Sequence, residues 1–467
     1  MTVLLPFLIA VNLGYILVNG CFKNKFSLFS ILLKLVLSIG LGIGIISIIS
    51  FWGKEADLFK SEISLPKIVL RVLTVIGFLC IFFLITRDFV KLKYKFMNLF
   101  SKKWFLLFLI IFFFVFLLFI DRLWAKIALN PDGFWDAWSI WNLHARFLFF
   151  GGDYWRDLFS PVLGWSHPDY PLLTPAFIYF GWKLIGSNLQ IIPILVSVVF
   201  TVALVLLILS SIALSRGFLL AVTGAVFLMV TLSISNEGAA QYADIPLAFF
   251  YLVVLIITIH RENNKTENYS IDFILGLFMG FCVFTKNEGW SFVVSILTIR
   301  ILIDILEKRF IARRWTYLLS GFSIIALASI LIKIQAPSND LFGQRSIFEI
   351  FSQLTDLSRY QLIFNHLSNE LIQFNNGRFS MFILLMGLLI FLGLRQDLDK
   401  KNLFLMFGAV LLTLIQYLLI YVITPKDLEW HLSSSLTRLI VQLYPSLIFI
   451  VFNIVEDPFR ENGLIVN

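Results

Sequence analysis

"WFLLFLIIFFFVFLLFIDRLWAKIALNPDGFWDAWSIWNLHARFLFF" runs from Trp104 to Phe150 and changes character in the middle. Residues 104–121 are an apolar run of the length that crosses the roughly 30 Å of bilayer hydrocarbon as a helix. Immediately beyond it, Asp132, Trp135, Asp136, Trp138 and Trp141 crowd acids and indoles together. Tryptophan favours the headgroup level, where its ring is partly buried and its N–H stays wet. The stretch therefore puts carboxylates at a membrane surface, and the question is what they do there.

The rest of the chain sets the same class. Of 467 residues, 59% are hydrophobic and only 14% charged, against about 45–50% and about 25% in soluble domains. This is the composition of an all-α, polytopic integral membrane protein. The formal charge of +8 fits Lys and Arg in cytoplasmic loops facing anionic lipid and does not call for a nucleic-acid partner. Cys21, Cys80 and Cys282 lie far apart in or beside apolar runs, with no metal-ligand spacing. The N-terminal segment reads as a first span and not as a cleaved leader.

Apolar periodicity gives about thirteen spans, at 3–20, 28–52, 67–86, 104–121, 189–214, 218–235, 244–260, 271–285, 289–303, 315–334, 379–394, 403–423 and 437–455. The basic stretches "RDFVKLKYKFMNLFSKK" (87–103), "EKRFIARR" (307–314) and "RQDLDKK" (395–401) then fall on one side. That side holds about 19 Lys and Arg in roughly 70 residues, against about 12 in roughly 150 on the other. The positive-inside rule puts the N-terminus outside and the C-terminus in the cytoplasm. This works only if 171–186 does not cross, so 125–188 is one long outer loop with interfacial helices, and 335–378 is a second. The expected organisation is a three-span extension (1–103), a main membrane domain (104–455) and a cytoplasmic tail (456–467).

At about 100° per residue, Asp132, Asp136, Ser139, Asn142 and Arg146 share one arc of a helix and Phe134, Trp138, Trp141 and Leu148 another. The expectation is an amphipathic helix on the membrane surface, its indoles fixing the depth of the acidic face. A bare interfacial anchor would show the same pattern. Other polar clusters end spans on the same side: "SHPDYPLLTP" (166–175), "NEGAAQYADIP" (236–246), "TKNEGW" (285–290) and "TPKDLEWHLSSSLTR" (424–438). Asp244 opens an apolar helix with Pro246 behind it, which suits a helix start and a simple capping role equally. Lys286 and Glu288 share a hairpin too short to leave the bilayer surface, so they can pair with each other or present an ammonium to a lipid phosphate. His431 and Arg438 are about two turns apart on one face. His167 and Asp169 precede prolines or lie between them, as in a rigid turn, and could also meet an acceptor or a cation. Of the charges set deep in spans, Lys34, Arg71 and Lys333 show no obvious partner.

Taken together, "DGFWDAWSIWNLHARFLF", "HPDYPLLTP", "YADIPLAFFY", "FTKNEGW" and "DLEWHLSSSLTRL" resemble the polytopic bacterial glycosyltransferases of the GT-C superfamily, relatives of the protein O-mannosyltransferases and lipid A aminoarabinose transferases. The resemblance spans roughly 104–455. It implies an inverting transferase that takes sugar from a polyprenyl-phosphate donor at the outer face of the bacterial cytoplasmic membrane. It gives Asp136 the role of general base, with Asp132, Asp244, His167 and Asp169 as acceptor-binding or second-acid candidates. Lys286, His431 and Arg438 become candidates for the donor phosphate. The family's paired acids are not reproduced, since Ala137 follows Asp136. A divalent cation held by Asp136, Asp244 and His167 is the one cofactor left open. The acceptor would be a glycan, lipid or protein hydroxyl. Two other readings carry weight: an O-antigen ligase or polymerase, through Arg345, Arg359, His366 and Arg378, and a lipid-linked sugar transporter or flippase.

Overall fold

The computed structural model describes residues 2–22, 28–57, 69, 72, 75–79, 82, 103–263, 268–338, 346–374 and 380–458. The span at 67–86 (apart from 69, 72, 75–79 and 82), most of the basic stretch at 87–103, Cys80, Arg71, Arg345, Arg378 and most of 456–467 lie outside the described residues.

Apolar runs fold as helices in order: α1 (Leu5–Cys21), α2 (Leu28–Glu55) and α3 (Lys103–Leu129). The first long loop follows, with α4 (Asn142–Phe150), two 3-10 segments (Gly152–Phe159 and Pro161–Ser166) and α5 (Leu173–Ile185). Then come α6 (Ile191–Arg216), α7 (Phe218–Val230), α8 (Leu232–Ala239), α9 (Asp244–Asn263), α10 (Tyr269–Thr285), α11 (Gly289–Leu306) and α12 (Ala312–Gln335). The chain ends with α13 (Ile347–Thr355), α14 (Leu357–Gln373), α15 (Met381–Leu392), α16 (Lys400–Ile423) and α17 (Leu428–Ile454). Among the described residues there is no β-strand beyond one isolated bridge, Leu394 to Val455.

Among the described residues nine helices (α1, α2, α3, α6, α9, α11, α12, α16, α17) are long and apolar enough to cross a membrane, and α7 with α8 would make a tenth if their 63° bend lies within one span. The protein is a polytopic helical membrane protein. At 13 residues, α5 is about 20 Å long, and it packs against α2, α4 and α6.

α9 is the central helix. Every side chain from Asp244 to Thr258 is buried, as expected of a helix apolar on all sides, and it packs against α6, α10 and α17. In lipid there is little hydrophobic drive between helices, so close van der Waals packing of small residues holds pairs together. A Cβ on Gly14 would land on the Ser38 carbonyl and one on Gly42 on the Ala10 carbonyl, fixing α1 against α2. Gly276 and Gly321 do the same for α10 and α12, against the carbonyls of Leu318 and Phe273. The break between α7 and α8 comes at Thr231, where Arg122 donates to the freed Met229 carbonyl and the Thr231 hydroxyl lies 3.2 Å from the Tyr444 hydroxyl.

Charge collects at the two ends of the bundle. At one end Asp272 receives Arg261 at 2.9 Å and Arg300 at 3.3 Å, while Lys401 joins Glu262 at 2.9 Å to Glu307 at 2.8 Å. Arg314 pairs with Glu262 there as well. Asp244 marks the other end, about 26 Å away along α9. Two of the deep charges that lack a partner in sequence are in fact held: Lys333 donates to Asp169 at 2.6 Å and Lys34 to Asn19 at 3.1 Å. Both lie within two turns of a helix end, so each reaches a polar neighbour from another segment.

The Gly276 and Gly321 contacts make a test of the packing. Gly276→Val and Gly321→Val should each cost about 1–3 kcal/mol or more through overpacking, seen as a lower melting midpoint in detergent. Gly387→Ala, where an added Cβ would meet nothing within 4 Å, should not lower the midpoint, since alanine is the better helix former.

Candidate functional site

Asp244 opens α9 with a fully buried carboxylate. One oxygen accepts Lys286 Nζ at 2.9 Å and Gln442 Nε2 at 2.6 Å; the other accepts Arg438 Nε at 3.2 Å and Nη2 at 2.9 Å. Those donors come from the α10–α11 hairpin and from α17, so one acid ties three elements together. A capping role therefore understates it. Lys286 also meets Glu288 at 2.8 Å. Burial works against the Lys286 ammonium, yet Asp244 and Glu288 more than offset it and the lysine is held above its ordinary pKa. Lys286 is 3% exposed, behind its two acids.

Asp136 reaches the same arginine from the first loop. Gly133, at φ 77°, lets that loop press against the segment before α9, where an added Cβ would meet the Ala240 carbonyl. Phe134 N–H donates to that carbonyl at 3.2 Å, and Asp136 N–H to the Tyr242 hydroxyl at 3.4 Å. Gln241 sits at φ 60°, an uncommon region for a residue with a side chain, and it donates to the Pro131 carbonyl at 2.9 Å while accepting from Asn142 at 3.1 Å. Arg438 Nη2 then lies 2.7 Å from Asp136 Oδ2, with its guanidinium 4.5 Å from the Tyr242 ring centre. The Asp136 side chain is 19% exposed and that of Arg438 18%, whereas Asp244 has none.

The single amphipathic arc expected over 132–148 does not form. Ala137–Trp141 is a π-helical turn, closed by Asn142 N–H donating to the Ala137 carbonyl five residues back. The wider turn shifts the faces that follow. Ser139 and Asn142 are consequently buried along with Trp141 and Leu148, while Trp138 points outward.

Four of the sequence candidates meet: Asp136, Asp244, Lys286 and Arg438. The others do not. Asp132 accepts from Gln190 at 2.8 Å on the exposed side. His167, at φ 48°, ends a 3-10 segment and stacks on Tyr170 at 4.8 Å, and Asp169 is taken by Asn287 and Lys333. His431 lies 3.0 Å from the Thr424 hydroxyl and packs on Tyr421. Glu288, paired with Lys286 in sequence, joins the site through that pair, while Glu237 and Tyr242 complete it without having been singled out, although both lie inside the quoted polar clusters. Glu237 is within electrostatic reach of Asp244, Arg438, Lys286 and Asp136, and its Oε2 is buried with no hydrogen-bond partner among the described residues. Gln442 had only one signal, an amide within an apolar run.

The residues do not fit a metal. Among the described residues no three His, Cys, Asp or Glu side chains gather to hold an ion, and Arg438 bridges Asp136 to Asp244 where a cation would have to sit. Behind Tyr242, a cavity with room for about one water molecule is lined by Trp141, Asn142, Thr174 and Gln241. Trp141 Nε1, Asn142 Oδ1 and Thr174 Oγ1 are buried there without a partner among the described residues.

No protein-family model matches the chain, and no curated protein or solved structure matches it either. The site itself is a partly open carboxylate and guanidinium resting on a buried ionic anchor, at one end of a membrane bundle.

Two predictions follow from these burials. Asp244→Asn leaves Lys286 and Arg438 poorly compensated and should cost about 3–5 kcal/mol, read as loss of folded protein in detergent, while Asp136→Asn should accumulate normally. His144, in the first loop, is fully buried beside Ser166, and burial pushes its pKa from 6.5 down to about 4. The folded state therefore binds the proton less readily than the unfolded state. Stability is complete above pH 6.5, declines toward pH 4, and loses about 3 kcal/mol in all. The melting midpoint of wild type should fall more steeply between about pH 7 and about pH 4.5 than that of His144→Gln; equal slopes would refute the assignment.

Proposed function

We propose that the chain is a membrane glycosyltransferase of GT-C type, with about thirteen spans, its N-terminus outside and the site at the outer face of the bacterial cytoplasmic membrane. Its donor is a polyprenyl-phosphate sugar and its acceptor a hydroxyl. The observation that carries this reading is the pairing of Asp136 with Arg438 at 2.7 Å on top of the closed Asp244 cluster. Asp136 spends Oδ2 on Arg438, and Oδ1 has no hydrogen bond from the described residues, so one oxygen is left for an acceptor proton. As the acceptor oxygen bonds to the anomeric carbon, its proton passes to Asp136 and the bond to the phosphate oxygen breaks with its electron pair. A phosphate ester is a weak base, so this leaving group needs charge stabilisation more than a general acid.

Arg438 supplies that charge. Lys286, enclosed by Asp244 and Glu288, acts through Asp244 by holding Arg438 in place. No step is routed through a metal. The ligase reading is weaker because Arg359 is spent on backbone carbonyls at and just beyond the end of α16. The transporter reading is weaker because the ionic clusters lie at the ends of the bundle and not along a path through it.

Asp136→Asn should cut sugar transfer from radiolabelled polyprenyl-phosphate sugars in membranes by about 100-fold to 10,000-fold at unchanged protein level. Retained transfer would remove Asp136 as the base. Orientation is tested separately: a cysteine at Ser352 should react with an impermeant reagent from outside the cell, and one at Lys400 only after the membrane is opened.

A further inference from the structure

α13 shows its apolar side to the exterior. Ile347 is 87% exposed, Phe348 81% and Phe351 62%, and Leu357 at the start of α14 is 80% exposed. At about 100° per residue, Ile347, Phe348, Ile350, Phe351 and Leu354 cover about 160° of the helix. The helix is well made, with Ser346 and Glu349 closing a reciprocal capping box.

Its polar side is attached to the bundle. Gln353, on the opposite face, donates to the Thr424 carbonyl at 3.2 Å. Arg359 donates to the carbonyls of Val422 at 2.7 Å, Tyr421 at 3.2 Å and Thr424 at 3.0 Å. A helix leaves its last carbonyls without intrahelical donors, so Arg359 both satisfies the end of α16 and fixes α13–α14 there. The outward stripe of α16 (Phe404, Phe407, Leu411, Ile415, Leu419) runs at helical spacing toward that same end. Trp430, 56% exposed with Lys426 5.8 Å from its ring, stands just beyond, an aromatic and basic pair of the kind that marks the headgroup level.

We infer that α13 and the first turn of α14 lie in the plane of the membrane at the Asp136 end, with Ile347, Phe348, Phe351 and Leu357 immersed in the acyl chains of that leaflet. The occupant is lipid because α13 is tied through its polar side to the end of α16, toward which the outward apolar stripe of α16 runs, and its own apolar residues are left exposed there. An interfacial helix needs this arrangement: apolar residues toward the chains, polar residues toward headgroups and protein. The inference needs only that the bundle spans a membrane, and it stands or falls apart from glycosyl transfer.

The test is made on the full chain in phosphatidylcholine vesicles. Nitroxide labels on cysteines at Phe348, Phe351 and Ser352 are read by power saturation with oxygen and with a nickel chelate, the parent chain labelled alone serving as background. Positions 348 and 351 should favour oxygen and 352 the nickel chelate. Nickel access at 348 and 351 equal to that at 352 would overturn the inference by showing a wet face. Low access to both reagents would overturn it by showing a face covered by protein, such as a second copy. The unsubstituted chain gives an independent reading: a membrane-partitioned photoactivatable carbene reagent should label 347–357, and absence of label there counts against immersion.

Discussion

A carboxylate with no exposure to solvent, set at the first turn of the central helix, has to be neutralised or the helix cannot stay where it is. Asp244 meets that demand with an ammonium, a guanidinium and an amide drawn from two other parts of the bundle. Removing charges from water is costly, and their mutual attraction offsets the cost only when geometry is good and the remaining donors are used. The cluster thereby fixes the α10–α11 hairpin, α9 and α17 in one relative position. The site-bearing loop then docks onto that frame through Arg438.

The same arginine makes the site asymmetric. It binds a buried acid and a partly open one, so the two carboxylates differ in environment although they share a partner. Asp244 is committed to structure, and Asp136 stays partly exposed. The proposed chemistry draws on that difference, since a base must reach a substrate and an anchor must not. Gly133 and the left-handed Gln241 are the backbone features that bring the loop close enough for Arg438 to span both.

Much of this was legible in the chain. Apolar run length gave most of the helices, and the charged residues at their ends gather in two groups, Arg261, Arg314 and Lys401 in one and Asp136, Asp244 and Lys286 in the other. The polar clusters at span ends contained nearly every residue of the site. Periodicity failed over 132–148 because residues 130–134 are a turn and not helix, and the π-helical turn that follows does not advance by about 100° per residue. It also could not separate His167, Asp169 and His431 from the residues that meet Asp244, because all sit at span ends and differ only in which neighbour they reach.

Sequence by itself determined that this chain is a polytopic helical membrane protein with carboxylates and cations at the ends of its spans. The cost of polar groups in hydrocarbon fixes both facts locally. Only the tertiary structure decided that Arg438 joins Asp136 to Asp244 and that Gln442 belongs with them. It also decided that Lys286 is enclosed and that Lys333 answers Asp169. Ion pairs between residues far apart in the chain depend on which helices stand side by side, and helix adjacency follows from packing of small residues and shapes that no local pattern encodes.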